Sequence, residues 1–304
     1  MRRSRGIQFG NPDLEAVIRE AIGKSRRTII EDDLLGITEL KVPNNISDIT
    51  GIERCVNLEK LIFPGKPLLN FFGKALHDEG VYGPFTEIKG ISLLKGLTKL
   101  VELSIPGDIA GDLKSLSNLT NLTKLDLSNV SSVFFYSREH AAELNQISDI
   151  APLANLTNLT MLGLNEHQIS DIKPLSNLTN LTGLGLNHNQ ISDISPLANL
   201  TNLMGLSLCD NQISDITPLP NLTNLTMLGL NHNQISDISP LANLTNLMGL
   251  SLNENQISNV SALSGLDKLN SLYLWKNPLS DEAYDVHIPA LEKRGVEVGF
   301  TPKS

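Results

Sequence analysis

Histidine and carboxylate alternate at one recurring position of this chain. Glu166, His188, Asp210, His232 and Glu254 follow one another every 22 residues, and Lys276 closes the series. Side chains of these types exchange protons near neutral pH, and imidazole is a common metal ligand. On neighbouring strands they would stand roughly 4.8 Å apart, where flanking carboxylates raise a histidine pKa and stabilise a charged ladder. The pattern therefore fits a mildly pH-sensitive surface or an opportunistic divalent-cation site. The alternative is a surface pattern copied by duplication: residues 184–208 and 228–252 are identical, so His188 and His232 are not independent occurrences.

Other reactive chemistry is absent from the sequence. The six histidines (His77, His140, His167, His188, His232, His287) show no zinc-ligand spacing with cysteine or carboxylate. There is no Gly-Lys-Ser/Thr phosphate loop and no Gly-x-Ser-x-Gly elbow, and Gly183-Leu184-Gly185 falls inside a strand pattern. The expectation is a protein that is not an enzyme and holds neither cofactor nor resident metal. A net charge of −9 argues against nucleic acid as a partner, since there is no basic field to release counterions. Arg2, Arg3 and Arg5 read as a frayed tail rather than a binding arm. No run of about 18 apolar residues suits a membrane span, and residues 1–11 lack a secretory h-region. Cys55 and Cys209 fall five strands apart, more than roughly 20 Å, too far for a disulfide. These features point to a reducing, cytoplasmic setting, or to secretion and surface display if a signal peptide has been removed. The Asn-Leu-Thr sequons at Asn155, Asn177 and Asn221 read as by-products of the repeat.

What must position the charged column is the repeat itself. From Asn145 the chain runs Asn-Gln-Ile-Ser-Asp-Ile-x-Pro-Leu-x-Asn-Leu-Thr-Asn-Leu-x-x-Leu-x-Leu and returns in register at Gln168, Gln190, Gln212, Gln234 and Gln256. A fixed period of this length marks a stacked solenoid, which grows in one dimension and needs no second core. Leu162 and Leu164 alternate with Met161, Gly163 and Asn165, the period-2 signature of a short strand with one buried face. Ile169, Ile172, Leu175 and Leu178 turn inward from a return segment in which Pro174 prevents a long helix. A hydrophobic content of 40% with only 4% aromatics means a core of Leu and Ile. One polar column, Asn189, Asn211, Asn233, Asn255 and Asn277, sits where the chain turns inward, and a buried amide there must be paired. The expected arrangement is a ladder bonding the backbone of adjacent turns, with a weaker rung where His167 replaces Asn.

The Leu181, Leu184, Leu186, Asn189, Ile191 pattern, with the Ser-Asp-Ile and Pro-Leu-x-Asn-Leu-Thr that follow it, resembles the 22-residue leucine-rich repeat of the bacterial internalin-type and SDS22-like class. The resemblance implies an α/β solenoid: a horseshoe with a concave parallel β-sheet, 3-10 or irregular convex return segments, and a cap at each end. It also implies a concave face that binds other proteins. Further strands fall at Ile37/Leu40/Val42, Leu58/Leu61/Phe63, Leu100/Leu103/Ile105 and Leu122/Leu125/Leu127, giving about ten repeats over residues 37–279. Residues 1–36 read as a helical cap. Asn11-Pro12 starts one helix, Leu14, Val17, Ile18, Ala21 and Ile22 share its face until Gly23, and Thr28 with Glu31 suggests a capping box for a second. Residues 280–304 read as a C-terminal cap, with an interrupted helix over Ser280–Lys293, a stop at Gly295 and a closing strand at Val296–Val298. Insertions break the period near 65–86, where Pro67, Leu69, Phe72 and Leu76 suggest a helix, and near 130–144, which holds Phe134, Phe135 and Tyr136. Both leave from the same rim. Their aromatics either bind a partner or pack on one another.

The alternation places Gly163, Gly185, Ser207, Gly229, Ser251 and Tyr273 along a nearly bare concave floor. Met161, Gly183, Gly205, Met227, Gly249 and Ser271 stand on one side, and Asn165, Asn187, Cys209, Asn231, Asn253 and Trp275 on the other. The partner-binding candidates are therefore Met161, Met227, Tyr273, Trp275, the column members His188, Asp210, His232, Glu254 and Lys276, and Phe134, Phe135 and Tyr136. Tyr273 and Trp275 are the first anchors, since buried aromatics dominate binding energy; the competing reading is that they cover the last core layer against the cap. The expected function is a monomeric, non-enzymatic scaffold for a protein partner. Two other readings stay open: a regulatory subunit of an enzyme such as a phosphatase, and a bacterial surface adhesin.

Overall fold

A computed structural model describes residues 6–24, 27–43, 45–63, 88, 90–105, 113–128 and 147–303. Within them, eleven three-residue strands form one open parallel sheet in strict chain order. They are β1 (Glu39–Lys41), β2 (Lys60–Ile62), β3 (Glu102–Ser104), β4 (Lys124–Asp126), β5 (Met161–Gly163), β6 (Gly183–Gly185), β7 (Gly205–Ser207), β8 (Met227–Gly229), β9 (Gly249–Ser251), β10 (Ser271–Tyr273) and β11 (Glu297–Gly299). The pairing keeps the repeat register, Leu162 beside Leu184, Leu206, Leu228, Leu250 and Leu272. Ten strands come from repeats. The eleventh closes the sheet against β10, one residue later than the sequence pattern places it.

From β4 to β10 both leucines of each strand, and the aliphatic side chains of the described returns between them, are withdrawn from water. Leu181, Leu184, Leu186, Ile191, Leu197 and Leu200 are all fully buried, and they join one continuous core with their neighbours. Each such burial stabilises by about 1.5–3 kcal/mol, but only when the adjacent turns are present to cover it. The returns are short 3-10 helices such as Lys173–Leu175 and Ser195–Leu197. In several units the return is opened by an aspartate at the same repeat position: Asp171, Asp193 and Asp237 accept the N–H of Lys173, Ser195 and Ser239 at 2.8–2.9 Å. The turn closes when the N–H after the Pro-Leu pair bonds back, as Ala198 does to Ser195 O. Between β7 and β8 that residue is Pro220, which has no N–H to give, and the return there is a plain turn.

The buried asparagine column is a bonded ladder. Asn189 Oδ1 accepts the Ile169 N–H at 3.0 Å, and its Nδ2 donates to Leu164 O and Leu186 O at 2.9 and 3.1 Å. Asn211, Asn233, Asn255 and Asn277 repeat these bonds. His167 fills the missing rung with a ring: Nε2 lies 2.9 Å from Leu127 O, and Nδ1 takes the Ile147 N–H at 3.4 Å, longer than the asparagine bonds. A carbonyl only accepts and an amide N–H only donates, so the imidazole is the neutral Nε2–H tautomer.

At the N-terminal end α1 (Pro12–Ala21) starts as expected, with Asn11 Oδ1 accepting the Asp13 N–H at 2.7 Å. Leu14 and Ile18 are fully buried against the first repeat, and Gly23 takes a φ of +66° past the helix end. The capping box expected from Thr28 and Glu31 is not formed. The short helix α2 (Glu31–Leu34) begins after Ile30, whose N–H donates to Asp33 Oδ2 at 3.1 Å. Asp33 is also gripped by the Lys24 ammonium; that bond first, and the Ile30 N–H second, hold its carboxyl below the usual range. Glu31 turns outward to Arg54 at 2.9 Å.

At the other end a π-turn over Ala283–His287 runs into α3 (Ile288–Lys293). Pro289 lacks the N–H that an α-turn would need, and the Ile288 N–H reaches Ala283 O instead. Ala283, Leu291 and Val296 join the core at its last layer, and Gly295 makes the stop at φ +88°. The insertions near 65–86 and 130–144, with Phe134, Phe135 and Tyr136, lie outside the described residues, as do Arg2, Arg3, Arg5, His77 and His140. No helix among the described residues is long and apolar enough to cross a membrane.

Candidate functional site

The concave face divides in two along the sheet. On the first four strands the outer column is charged, with Glu39, Lys60, Glu102 and Lys124 side by side in the pairing. Lys124 Nζ lies 3.6 Å from Glu102 Oε2, and Lys41 Nζ 3.7 Å from Glu39 Oε1. From β5 to β10 this column carries no charge, and Glu297 on β11 brings one back. The floor becomes Gly163, Gly185, Ser207, Gly229 and Ser251, and the chain offers backbone where the first half offers ion pairs. Met161 and Met227 stand half-buried beside this stretch.

The flanking asparagine column proves to be internal scaffolding as well. Asn187 Oδ1 accepts the Cys209 N–H at 2.8 Å and the Ser207 hydroxyl at 2.7 Å. Asn231 does the same for Asn253 N and Ser251 Oγ, and Asn253 for the Trp275 N–H. The sequence pattern shows these residues facing away from the core but not that their amides are already bonded along the sheet. Cys209 interrupts the column. Its thiol is pushed up to about 11, chiefly by burial, and the Asn231 N–H meets its sulfur. Cys55 is buried in the first return segment with its thiol raised to about 12, again by burial, and both cysteines are free.

The bare stretch ends in aromatics. Trp275 is 46% exposed and Tyr273 half-buried, both on the concave side of β10. They lean over the closing strand: a Cβ at Gly299 would come within 2.7 Å of Trp275 Nε1 and 3.0 Å of Tyr273 Cδ1. Only glycine lets the indole lie that close to the backbone. Trp275 therefore rests on the last strand and still presents nearly half its surface. Beyond it, Tyr284 and Phe300 pack at 6.0 Å between ring centroids.

The column of Glu166, His188, Asp210, His232, Glu254 and Lys276 lines the rim where the chain leaves the strands. All six have left-handed backbone, with φ between +53° and +66°. Such a conformation costs an ordinary residue about 1–2 kcal/mol, offset here because the backbone bonds on both sides. His188 N donates to Cys209 O at 2.8 Å, and Asp210 O accepts the Asn189 N–H at 3.2 Å. The turn is what drives the following asparagine into the core. It also holds the six side chains in one row. His188 Nε2 lies 3.7 Å from Glu166 Oε1 and 3.5 Å from Asp210 Oδ2, while His232 Nδ1 lies 3.9 Å from Asp210 Oδ1 and 3.3 Å from Glu254 Oε2. Lys276 is hydrogen-bonded to Glu254 at 2.6 Å; this bond, with His232 adding to it, holds the Glu254 carboxyl below its usual range. Among the described residues no three His, Cys, Asp or Glu side chains gather closely enough to hold a metal ion.

One feature escapes the sequence pattern. On the opposite rim a shallow groove is lined by Asn180, Thr182, Asn202, Met204, Asn224, Thr226 and Asn246. Its asparagines are fixed by bonds to the preceding turn, Asn202 Nδ2 to Thr179 O and Asn224 Nδ2 to Thr201 O, both at 2.9 Å. Met204 is 52% exposed there, and Met248, at the equivalent position two repeats on, is 45% exposed. The signal in the sequence was the replacement of Thr by Met just before the strand in alternate repeats.

Comparison with known proteins agrees with this architecture. Family profiles for leucine-rich repeats match residues 179–221 and 223–279. No curated protein matches the chain significantly. Among solved structures, an internalin (inlF) from Listeria monocytogenes is 32% identical, with a TM-score of 0.65 over 97% of this chain and 91% of the other. Internalin C2 from the same organism is 35% identical, with a TM-score of 0.58 over 88% and 94%. The functional domain of InlJ, also from Listeria monocytogenes, shares the fold at 19% identity, with a TM-score of 0.64 over 96% of this chain and 60% of that one.

Proposed function

The chain belongs to the internalin-type leucine-rich-repeat family, and on that premise we propose that it is a non-enzymatic scaffold gripping a folded protein partner on its concave face. The partner sits on β5–β10, with Trp275 and Tyr273 as anchors and Met161, Met227, His188, Asp210, His232, Glu254 and Lys276 around it. The observation that carries this reading is the bare floor ending at an indole that is nearly half exposed. A rigid floor lets a partner approach without ordering cost, and a projecting tryptophan supplies the kind of contact on which binding energy concentrates. On the charged half over β1–β4, Lys124 pairs with Glu102 and Lys41 with Glu39, and that half contributes less. Phe134, Phe135 and Tyr136 belong to the same reading as a rim contact.

The test places a photoreactive residue at Met227 on the concave side and, separately, at Ser239 on the convex wall. The partner should cross-link at the first position and not at the second. Trp275→Ala with Tyr273→Ala should cut the yield roughly tenfold or more, and deletion of residues 130–143 should weaken it further. Equal trapping at Ser239, or no effect of the aromatic changes, refutes the assignment. The family relationship favours display at a bacterial surface over service as a phosphatase subunit. Fractionation of the source cells separates the two, since recovery only in the cytosol would exclude the adhesin reading.

A further inference from the structure

We propose that the rim where the chain enters the strands is a second binding surface, a track of asparagine carbonyls that takes the ammonium groups of an extended, lysine-rich peptide segment. It lies apart from the concave face and does not depend on the partner assigned there. The column sits three residues before each strand. In Asn121, Asn158, Asn180, Asn202 and Asn224 the Nδ2 donates to a threonine carbonyl of the preceding turn at 2.8–2.9 Å. A carbonyl only accepts, so the nitrogen is the bonded atom and the side-chain oxygen is left as an acceptor. Among the described residues no bond reaches any of these five oxygens, and all five residues are exposed.

The chain itself shows what such an oxygen accepts. At both ends of the row the same position is a lysine, and each lysine reaches back one turn. Lys99 Nζ donates to Asn57 Oδ1 and Lys268 Nζ to Asn246 Oδ1, both at 2.7 Å. Asn57 and Asn246 are the half-buried members of the column, and their nitrogens are held as elsewhere, on Leu35 O and Thr223 O at 2.8 Å. The five asparagines between them keep the acceptor and lack the lysine. A ligand's ammonium would complete on them the contact that the chain makes for itself at either end. From Asn180 to Asn246 the column lines the shallow groove, with Met204 beside it. That thioether chain gives the aliphatic stem of a lysine an apolar wall while the head stays on the oxygen. Five acceptors on adjacent turns span about 19 Å at the spacing of neighbouring strands, the length of about six residues of extended peptide, whose alternate side chains face one way. The net charge of −9 draws a cationic segment in. A carboxylate has no hydrogen to give to the track and is turned away.

The experiment follows the fluorescence anisotropy of a labelled peptide with lysine at every second position, titrated with the full chain. Wild type should bind it, and the same peptide with its lysines acetylated should bind at least about tenfold more weakly. Asn202→Ala/Asn224→Ala removes two acceptors without changing the charge and should weaken binding roughly fivefold or more. Asn180→Lys/Asn224→Lys sets into the track the residue type that already stands at Lys99 and Lys268, so each new ammonium caps the oxygen one turn back, on Asn158 and Asn202. This plug should weaken binding at least about tenfold. Ala242→Lys/Ser261→Lys, on exposed return segments, adds the same charge and should stay within about twofold of wild type. Thermal unfolding of each variant checks that it is folded. Absence of binding by wild type overturns the track. So do alanine or lysine variants that bind like wild type, a convex control that weakens binding as much as the plug, or equal binding of the acetylated peptide.

Discussion

Replacing Asn233 by alanine removes four hydrogen bonds, yet the structure implies that one of them sets the cost. Its Nδ2 donates to Leu208 O, Leu230 O and Asn231 O at 3.0, 3.2 and 3.2 Å, and its Oδ1 accepts the Ile213 N–H at 3.0 Å. Each of the three carbonyls keeps another donor. Leu208 O still has Asn211 Nδ2 at 3.1 Å, Leu230 O has Asn255 Nδ2 at 2.9 Å, and Asn231 O has the Asp210 N–H at 2.8 Å. The buried Ile213 N–H has no substitute. An orphaned buried donor costs about 1–3 kcal/mol, and three weakened carbonyls add some tenths each, so the expected loss is about 2–4 kcal/mol. The end rung makes the contrast. In Asn277→Ala the Ile257 N–H is orphaned in the same way, and Leu274 O loses the 3.1 Å bond that no later rung can replace. Asn277→Ala should therefore cost about 1–2 kcal/mol more than Asn233→Ala, although it lies at the edge of the stack. Urea unfolding gives the free energies, and amide hydrogen exchange gives the site. Exchange at Ile213 should accelerate at least tenfold in Asn233→Ala. A loss below about 0.5 kcal/mol, unchanged exchange at Ile213, or an Asn277→Ala variant milder than Asn233→Ala would refute the reasoning.

His167→Asn should restore the regular rung and stabilise by about 0.5–1 kcal/mol at pH 7.5. Urea midpoints read the gain. Cys209→Asn should complete the concave asparagine column by giving the Asn231 N–H an oxygen, for a gain of about 0.5–1.5 kcal/mol; denaturant unfolding of the variant checks it. Asp237→Asn should leave the turn nearly as stable, because Asn259 already caps the equivalent turn at 2.8 Å, whereas Asp237→Ala should lower the urea midpoint measurably more. The Ser239 N–H and hydroxyl hold the Asp237 carboxyl below its usual range. That contribution is complete above the unfolded carboxylate value, near pH 3.9, and disappears as pH falls through the lower folded value, so only the aspartate form should show it in acid unfolding curves.

The parts of this architecture that the sequence makes legible are those where a position has one physical use. A leucine at every second strand position has nowhere to go but the core, and the buried Asn189 column has to pair its amide. Both follow from periodicity and polarity alone. The second asparagine column was harder to read, because Asn187 faces solvent in the alternation. Only coordinates show its oxygen already committed to Cys209 N and Ser207 Oγ. The left-handed rim was invisible for a related reason. Glycine would have announced positive φ, whereas Glu254 and Lys276 carry no such signal, and the conformation is imposed by the bonds to adjacent turns. The misplaced capping box at Thr28 shows a third limit. The motif was real in composition, but Lys24 and the Ile30 N–H both favour Asp33 as the returning side chain. Trp275 was recognisable as an outlier in a column of small residues, and Gly299, which permits its pose, was not.

In the regular repeats the ladder bonds reach only to the next turn, whether 20, 22, 23 or 25 residues away. Among the described residues, these bonds tie each turn to its neighbour and not to a distant address in the chain. Residues 184–208 and 228–252 are identical, so the coding sequence between them can be dropped or doubled by recombination without opening a bond. Every rung would simply close on its new neighbour. The length of the concave face, and with it the size of partner it can span, is thus a trait that unequal crossing-over can adjust in whole turns, leaving both ends intact.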